Sequence, residues 1–186
     1  MNLQALAEQP FELLLELERR ARAAIAAREG APESADEWVG IGFRLGAERF
    51  VTSRADVREV LPIPEQVTRV PGAKPWLRGI ANLRGQLLTV VDLKSFLGGA
   101  PSSDRQARVL VVASREVPTG LIVDEVIGFR RFGSADYREE AGPAVIRCEH
   151  YLEGSYRRGP ETWPRFSLLK LLEDPQFLTA GETVRA

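Results

Sequence analysis

Very little in this chain invites covalent chemistry. Its 186 residues include one cysteine, Cys148, and one histidine, His150. A lone thiol excludes an internal disulfide framework, and one thiol with one imidazole is too few soft ligands for a zinc site. Lysine is scarce, since nearly all the basic residues are arginine. The formal net charge is −1, so the chain offers no broad positive field to nucleic acid or an anionic membrane. No apolar run approaches the ~20 residues of a membrane span, which argues against direct membrane insertion. The start, Met1 to Glu8, lacks the basic segment of a secretory leader, so a cytoplasmic protein is expected. Phosphate-cradling signatures of the GxGxxG and GxxxxGK[ST] types are missing too, and no cofactor is expected.

What is present is the pattern of a β-rich domain behind a helix. Hydrophobic residues make up 44% and charged residues 27% of the chain, and this length buries a core without metal or disulfide support. Residues 10–29 read as a helix. Pro10 suits its first position, Gly30 follows its end, and Leu13, Leu14, Leu17, Ala21, Ala24 and Ile25 share one face. This helix and the polar linker after it form an appendage over residues 1–37, a candidate for self-association.

From Trp38 the apolar period changes to two, with Val39, Ile41, Phe43 and Leu45 on one face. Further short runs are Phe50–Val51, Val57 to Leu61, Trp76 to Ala81, Leu87 to Val91, Val109–Ala113, Leu121–Val123 and Val126–Phe129. Asn82-Leu83-Arg84-Gly85 joins two of them as a hairpin loop. Short strands at this spacing predict an all-β barrel architecture. Between Phe132 and Trp163 the pattern breaks into glycine, proline and charge, so long loops are expected there, with one strand near Val145–Ile146. Two strand-to-helix units echo each other, Val90 to Leu97 and Arg165 to Leu172, with Asp92 and Ser167 as N-caps.

Two constellations bear on catalysis. Cys148 and His150 lie two apart, and on a strand they would face the same way as a thiol–imidazole pair. Asp124 and Glu125 are adjacent carboxylates, which in a strand face opposite sides and suit capping or a strand edge better than paired acid–base work.

The segment Trp76-Leu77-Arg78-Gly79-Ile80-Ala81-Asn82-Leu83-Arg84-Gly85, followed by Leu87-Leu88-Thr89-Val90-Val91-Asp92-Leu93, resembles the CheW family of chemotaxis coupling proteins. Gly120 to Val126 and Val57 to Val60 match further family segments. The N-terminal helix, Val70-Pro71-Gly72 with Pro75-Trp76, and the ending from Tyr151 through Phe177-Leu178 resemble the branch serving type IV pili and twitching motility. The resemblance implies a mainly β, CheW-like fold of two packed five-stranded SH3-like barrels over residues 38–178, with short helices and a tail at 179–186. It implies a non-enzymatic adaptor that joins the cytoplasmic hairpin tip of a chemoreceptor to the regulatory domain of a CheA-type histidine kinase. It also assigns receptor contact to Val57, Glu59, Asn82 and Arg84, with Val57 and Glu59 expected on one strand face. A CheW-like scaffold in ordinary chemotaxis or surface sensing, and a hydrolase using Cys148, are the alternatives. The polar Thr52-Ser53-Arg54-Ala55 departs from the family's usual apolar stretch ahead of Val57.

Overall fold

Strand burial on both faces organises this molecule. In the strand Arg108–Val112 the last four residues are buried, and alternate side chains enter different clusters: Val109 and Val111 one, Leu110 and Val112 another. A β-strand sends successive side chains to opposite faces, so this strand has packed cores on both sides.

The computed structural model describes residues 37–114, 118–142 and 144–180; the helix expected over residues 10–29 lies outside them. The strands are β1 (Glu37–Leu45), β2 (Glu48–Ser53), β3 (Val57–Pro62), β4 (Leu77–Leu83), β5 (Gln86–Asp92), β6 (Arg108–Val112), β7 (Thr119–Val123), β8 (Glu125–Gly133), β9 (Tyr137–Arg138), β10 (Leu152–Arg158) and β11 (Glu161–Phe166). Two short helices follow strands, α1 (Leu93–Phe96) and α2 (Leu168–Glu173), and a third, α3 (Pro175–Leu178), follows α2.

The first sheet has six strands in the order β8-β1-β2-β11-β10-β9, and the second has five in the order β3-β6-β7-β5-β4. The fold is therefore mainly β with two sheets, as expected, although neither hydrogen-bonded ladder closes into a full barrel and the two-residue β9 adds a sixth strand to the first. The connection between β3 and β4 folds back onto edge strand β4 through one antiparallel backbone bridge, Thr68 to Ile80. Gly79 allows that approach, because a Cβ there would lie 2.1 Å from the Thr68 carbonyl oxygen. Side chains of β3 and the β4–β5 hairpin meet between the two edge strands, as described below.

Three clusters fill the space. One lies within the second sheet, around Leu88, Val90, Val109, Val111 and Ile122. A second lies within the first, where the Tyr156 ring stacks at 4.6 Å on both Trp38 and Phe132. The largest joins the sheets: Phe43, Phe50 and Phe166 meet Leu110, Leu121 and Val123, with Leu93, Leu168 and Leu171 from the helices. Each fully buried Leu, Val or Phe contributes roughly 1.5–3 kcal/mol of transfer free energy, so burial in these clusters is the main cohesive force.

Both predicted caps form. The Asp92 carboxylate accepts from Ser95 N–H at 3.0 Å, and the Ser167 hydroxyl accepts from Lys170 N–H at 3.4 Å. Two expectations fail. No strand forms at Val145–Ile146, because both backbone N–H groups donate to the Glu48 carboxylate, at 2.8 and 2.9 Å, instead of to a neighbouring strand. The long loops expected before Trp163 contain β9, β10 and most of the β10–β11 hairpin. Two aromatic anchors, Tyr156 and Trp163, bury that hairpin, and its ladder tolerates Pro164 next to a register shift between Leu152 and Ser155.

Candidate functional site

The β4–β5 hairpin turns through only two residues, since Leu83 pairs directly with Gln86. Arg84 and Gly85 both take positive φ, 51° and 85°, the signature of the primed turn that matches strand twist. Arg84 is the only non-glycine with positive φ among the described residues. The Asn82 side chain holds the turn, its Oδ1 accepting from Gly85 N–H at 2.8 Å. The loop read from sequence is thus a rigid mount that carries Arg84 outward, its side chain 75% exposed.

From that mount Arg84 reaches across to β3. Its guanidinium lies 3.1 Å from the Glu59 carboxylate. Arg58 meets the same carboxylate at 3.3 Å and the Gln86 side chain at 3.4 Å. Arg58, Glu59, Leu83, Arg84 and Gln86 line a cleft of about 410 Å³. Exposed ion pairs of this kind contribute only ~0–1 kcal/mol to stability. Their charges can be traded for a partner's at little cost to the fold.

Sequence periodicity misplaces Val57. A register shift falls between Val57 and Glu59, so Val57 pairs with Val112 and Glu59 with Val111. Directly paired residues share a face, which puts Val57 and Glu59 on opposite sides of the sheet. Val57 is 6% exposed within the inter-sheet core. The structure thus brings together Glu59, Arg84 and the turn-building Asn82, and leaves Val57 out of the cleft. Arg58 and Gln86 are the additions that sequence reasoning missed; their signal was adjacency to Glu59 and to the turn.

A second polar cluster gathers around Asp124, whose partners its capping or strand-edge reading did not anticipate. Asp124, 2% exposed, sits where β7 of the second sheet passes into β8 of the first. It accepts from Lys94 Nζ at 2.7 and 2.8 Å and from Gly46 N–H at 2.6 Å. Burial alone would raise its pKa, but the bonds from Lys94 and Gly46 outweigh it and hold the carboxyl below its ordinary range. The clue in the sequence was a carboxylate at the end of the apolar run Leu121–Val123.

The Cys148–His150 pair does not assemble. These residues lie at a 3₁₀ turn and not on a strand, with Cys148 fully buried and His150 exposed. Burial, with Glu48 and Glu149 nearby, pushes the thiol up to about 12, opposite to what a nucleophile needs. Among the described residues no group of three or more His, Cys, Asp or Glu is placed to hold a metal, and no helix is long and apolar enough to cross a membrane.

The structure thus presents two linked β-sheets with an ion-paired cleft at a hairpin tip. The CheW-like domain family model matches residues 39–176, and the chain belongs to that family: it is a CheW-like adaptor of chemosensory signalling. Among its relatives, protein PilI of Pseudomonas aeruginosa is 39% identical over 172 residues, covering 92% of this chain and 96% of PilI. Chemotaxis protein CheW of Klebsiella aerogenes is 27% identical over 145 residues, covering 77% of this chain and 87% of that protein. The crystal structure of the scaffolding protein TtCheW from Thermoanaerobacter tengcongensis superposes with a TM-score of 0.62 at 24% identity, over 70% of this chain and 89% of that one. That likeness concerns the fold alone.

Proposed function

We propose that this adaptor links the cytoplasmic hairpin tip of a chemoreceptor to the regulatory domain of a CheA-type histidine kinase, in a pathway that controls type IV pili and twitching motility. The observation that carries the reading is similarity to PilI along 92% of the chain, which takes in the N-terminal extension as well as the CheW-like domain. The cleft of Arg58, Glu59, Arg84 and Gln86 is the receptor-facing surface in this reading, with Asn82 as the support of Arg84. Val57 acts there only through the packing beneath β3. The adaptor makes and breaks no bond. Its work is a coupling free energy between two bound partners, typically ~1–3 kcal/mol. It acts in the cytoplasm, with residues 38–178 as the binding domain, residues 1–37 as an added self-association element and residues 179–186 as a tail.

Titration of the full chain against the kinase regulatory domain tests the proposal. The expected result is micromolar affinity or better, about −8 kcal/mol, and absence of binding overturns it. In cells, deletion should abolish twitching; loss of flagellar chemotaxis with twitching intact would overturn the pilus assignment. Sedimentation of the chain with and without residues 1–36 tests self-association.

A further inference from the structure

The two sheets meet through the largest apolar cluster. Apolar contact is strong but non-directional, so it holds the sheets together without fixing the angle between them. A set of directional contacts gathers at the crossover between the sheets. The Asp124 carboxylate accepts from Lys94, which follows β5 of the second sheet, and from Gly46 N–H in the β1–β2 turn of the first. Asp124 N–H donates to the Arg44 carbonyl at 3.0 Å. Arg44 then spreads its guanidinium to Glu125 at 3.0 Å, Asp104 at 2.9 Å and the Gly46 carbonyl at 2.8 Å. Asp104 lies in the loop before β6, and Glu125 begins β8. Segments from both sheets therefore converge on two charged side chains at the crossover between them.

We infer that Arg44, Lys94 and Asp124 are positioning residues that fix the relative orientation of the two sheets and so transmit a partner bound on one sheet to a partner bound on the other. Buried charge clusters often add little net stability compared with apolar packing. What this one supplies is geometry, since bonds of 2.6–3.0 Å to fixed backbone and side-chain atoms tolerate much less rotation than Leu–Phe contact does. None of the three residues lines the Glu59–Arg84 cleft. Their loss should leave that surface whole while loosening the angle at which it is presented. The transmission step rests on the two-partner reading given above; the orientation step does not.

The test uses the full chain carrying spin labels at Leu87→Cys on the second sheet and Arg157→Cys on the first. Both positions are exposed, while buried Cys148 stays unreacted. Distance distributions from double electron–electron resonance are compared between this background and the same background with Asp124→Asn or Lys94→Met. A broadened or shifted distribution in a variant with native circular dichroism is expected; a distribution unchanged in both variants overturns the inference, whatever the partners do. If Asp124→Asn does not fold, Lys94→Met, which keeps the Gly46 bond, decides the matter. Binding supplies the second readout. Each variant without labels should bind the kinase domain alone and a receptor hairpin fragment alone with affinities close to wild type. The effect of one partner on the other should fall about fivefold or more. Full coupling retained in both variants overturns transmission through this cluster. A wild-type chain that binds neither partner overturns the two-partner reading and leaves the distance measurement to judge the orientation claim.

Discussion

Replacing Asp92 with alanine gives the sharpest stability prediction. Its carboxylate is completely buried and accepts two backbone hydrogen bonds: Ser95 N–H at 3.0 Å, capping α1, and Ser102 N–H at 2.9 Å, anchoring the loop that leads to β6. The exposed Arg78 guanidinium is 3.8 Å away, too distant and too wet to matter much. Loss of an N-cap costs about 1 kcal/mol. The buried Ser102 N–H left without an acceptor costs about 1–3 kcal/mol more. The total, about 2–4 kcal/mol, is a large part of the ~5–15 kcal/mol that holds a domain together. Urea denaturation followed by tryptophan fluorescence measures it, because Trp76 packs against Phe96 of α1 at 5.2 Å and reports on that region. Asp92→Asn, which keeps one acceptor, should lose only the Ser102 contribution, about 1–3 kcal/mol. A loss below ~1 kcal/mol for Asp92→Ala would refute the assignment of Asp92 as the shared anchor of helix and loop.

Other expectations follow from the same geometry. Arg84→Glu places two carboxylates together and should abolish receptor coupling while changing stability by no more than about 1 kcal/mol; chemical denaturation beside a receptor-binding assay separates the two effects. Native Cys148 should resist alkylation at neutral pH, because its pKa is pushed up to about 12 by burial, and should react stoichiometrically once the chain is unfolded; rapid native labelling would contradict this core. The Asp124 carboxyl is held below its ordinary pKa by Lys94 and Gly46 against the opposing effect of burial. Its contribution to stability is present above the unfolded value of about 3.9 and is lost as pH falls through the lower folded value. Acid titration of the denaturation midpoint should therefore be shallower in Asp124→Asn than in wild type.

Sequence alone revealed what is local. The 82–85 turn, the caps at Asp92 and Ser167 and the alternation of β1 depend on residues within a few positions of one another. The paired faces of β6 were hidden, because a continuous apolar run does not say that Val109 and Leu110 serve different cores. The hairpin of β10 and β11 was hidden because Tyr156 and Trp163 carry its burial where β-branched runs usually do. Val57 was placed on the wrong face by one bulged residue, which no periodicity records. The Arg44–Asp124 cluster spans 78 and 81 positions of chain in its Gly46–Asp124 and Arg44–Glu125 bonds, so only the folded molecule brings its members together. The Glu59–Arg84 pairing spans a shorter stretch of chain but is still non-local; its two members were singled out by family resemblance and not by spacing.

The order of strands along the chain has a consequence for synthesis. The second sheet uses β3 to β7, an uninterrupted stretch from Val57 to Val123, whereas the first needs β1 and β2 from before that stretch and β8 to β11 from after it. On the ribosome the inserted sheet can close as soon as β7 emerges. The β1–β2 ribbon meanwhile lacks Phe166, whose ring packs edge-on against Phe43 and Phe50, until β11 arrives. Nascent chains of this protein therefore carry their greatest risk of mispairing in the interval between those two events, and a premature stop after β8 leaves a finished sheet tethered to an orphaned one.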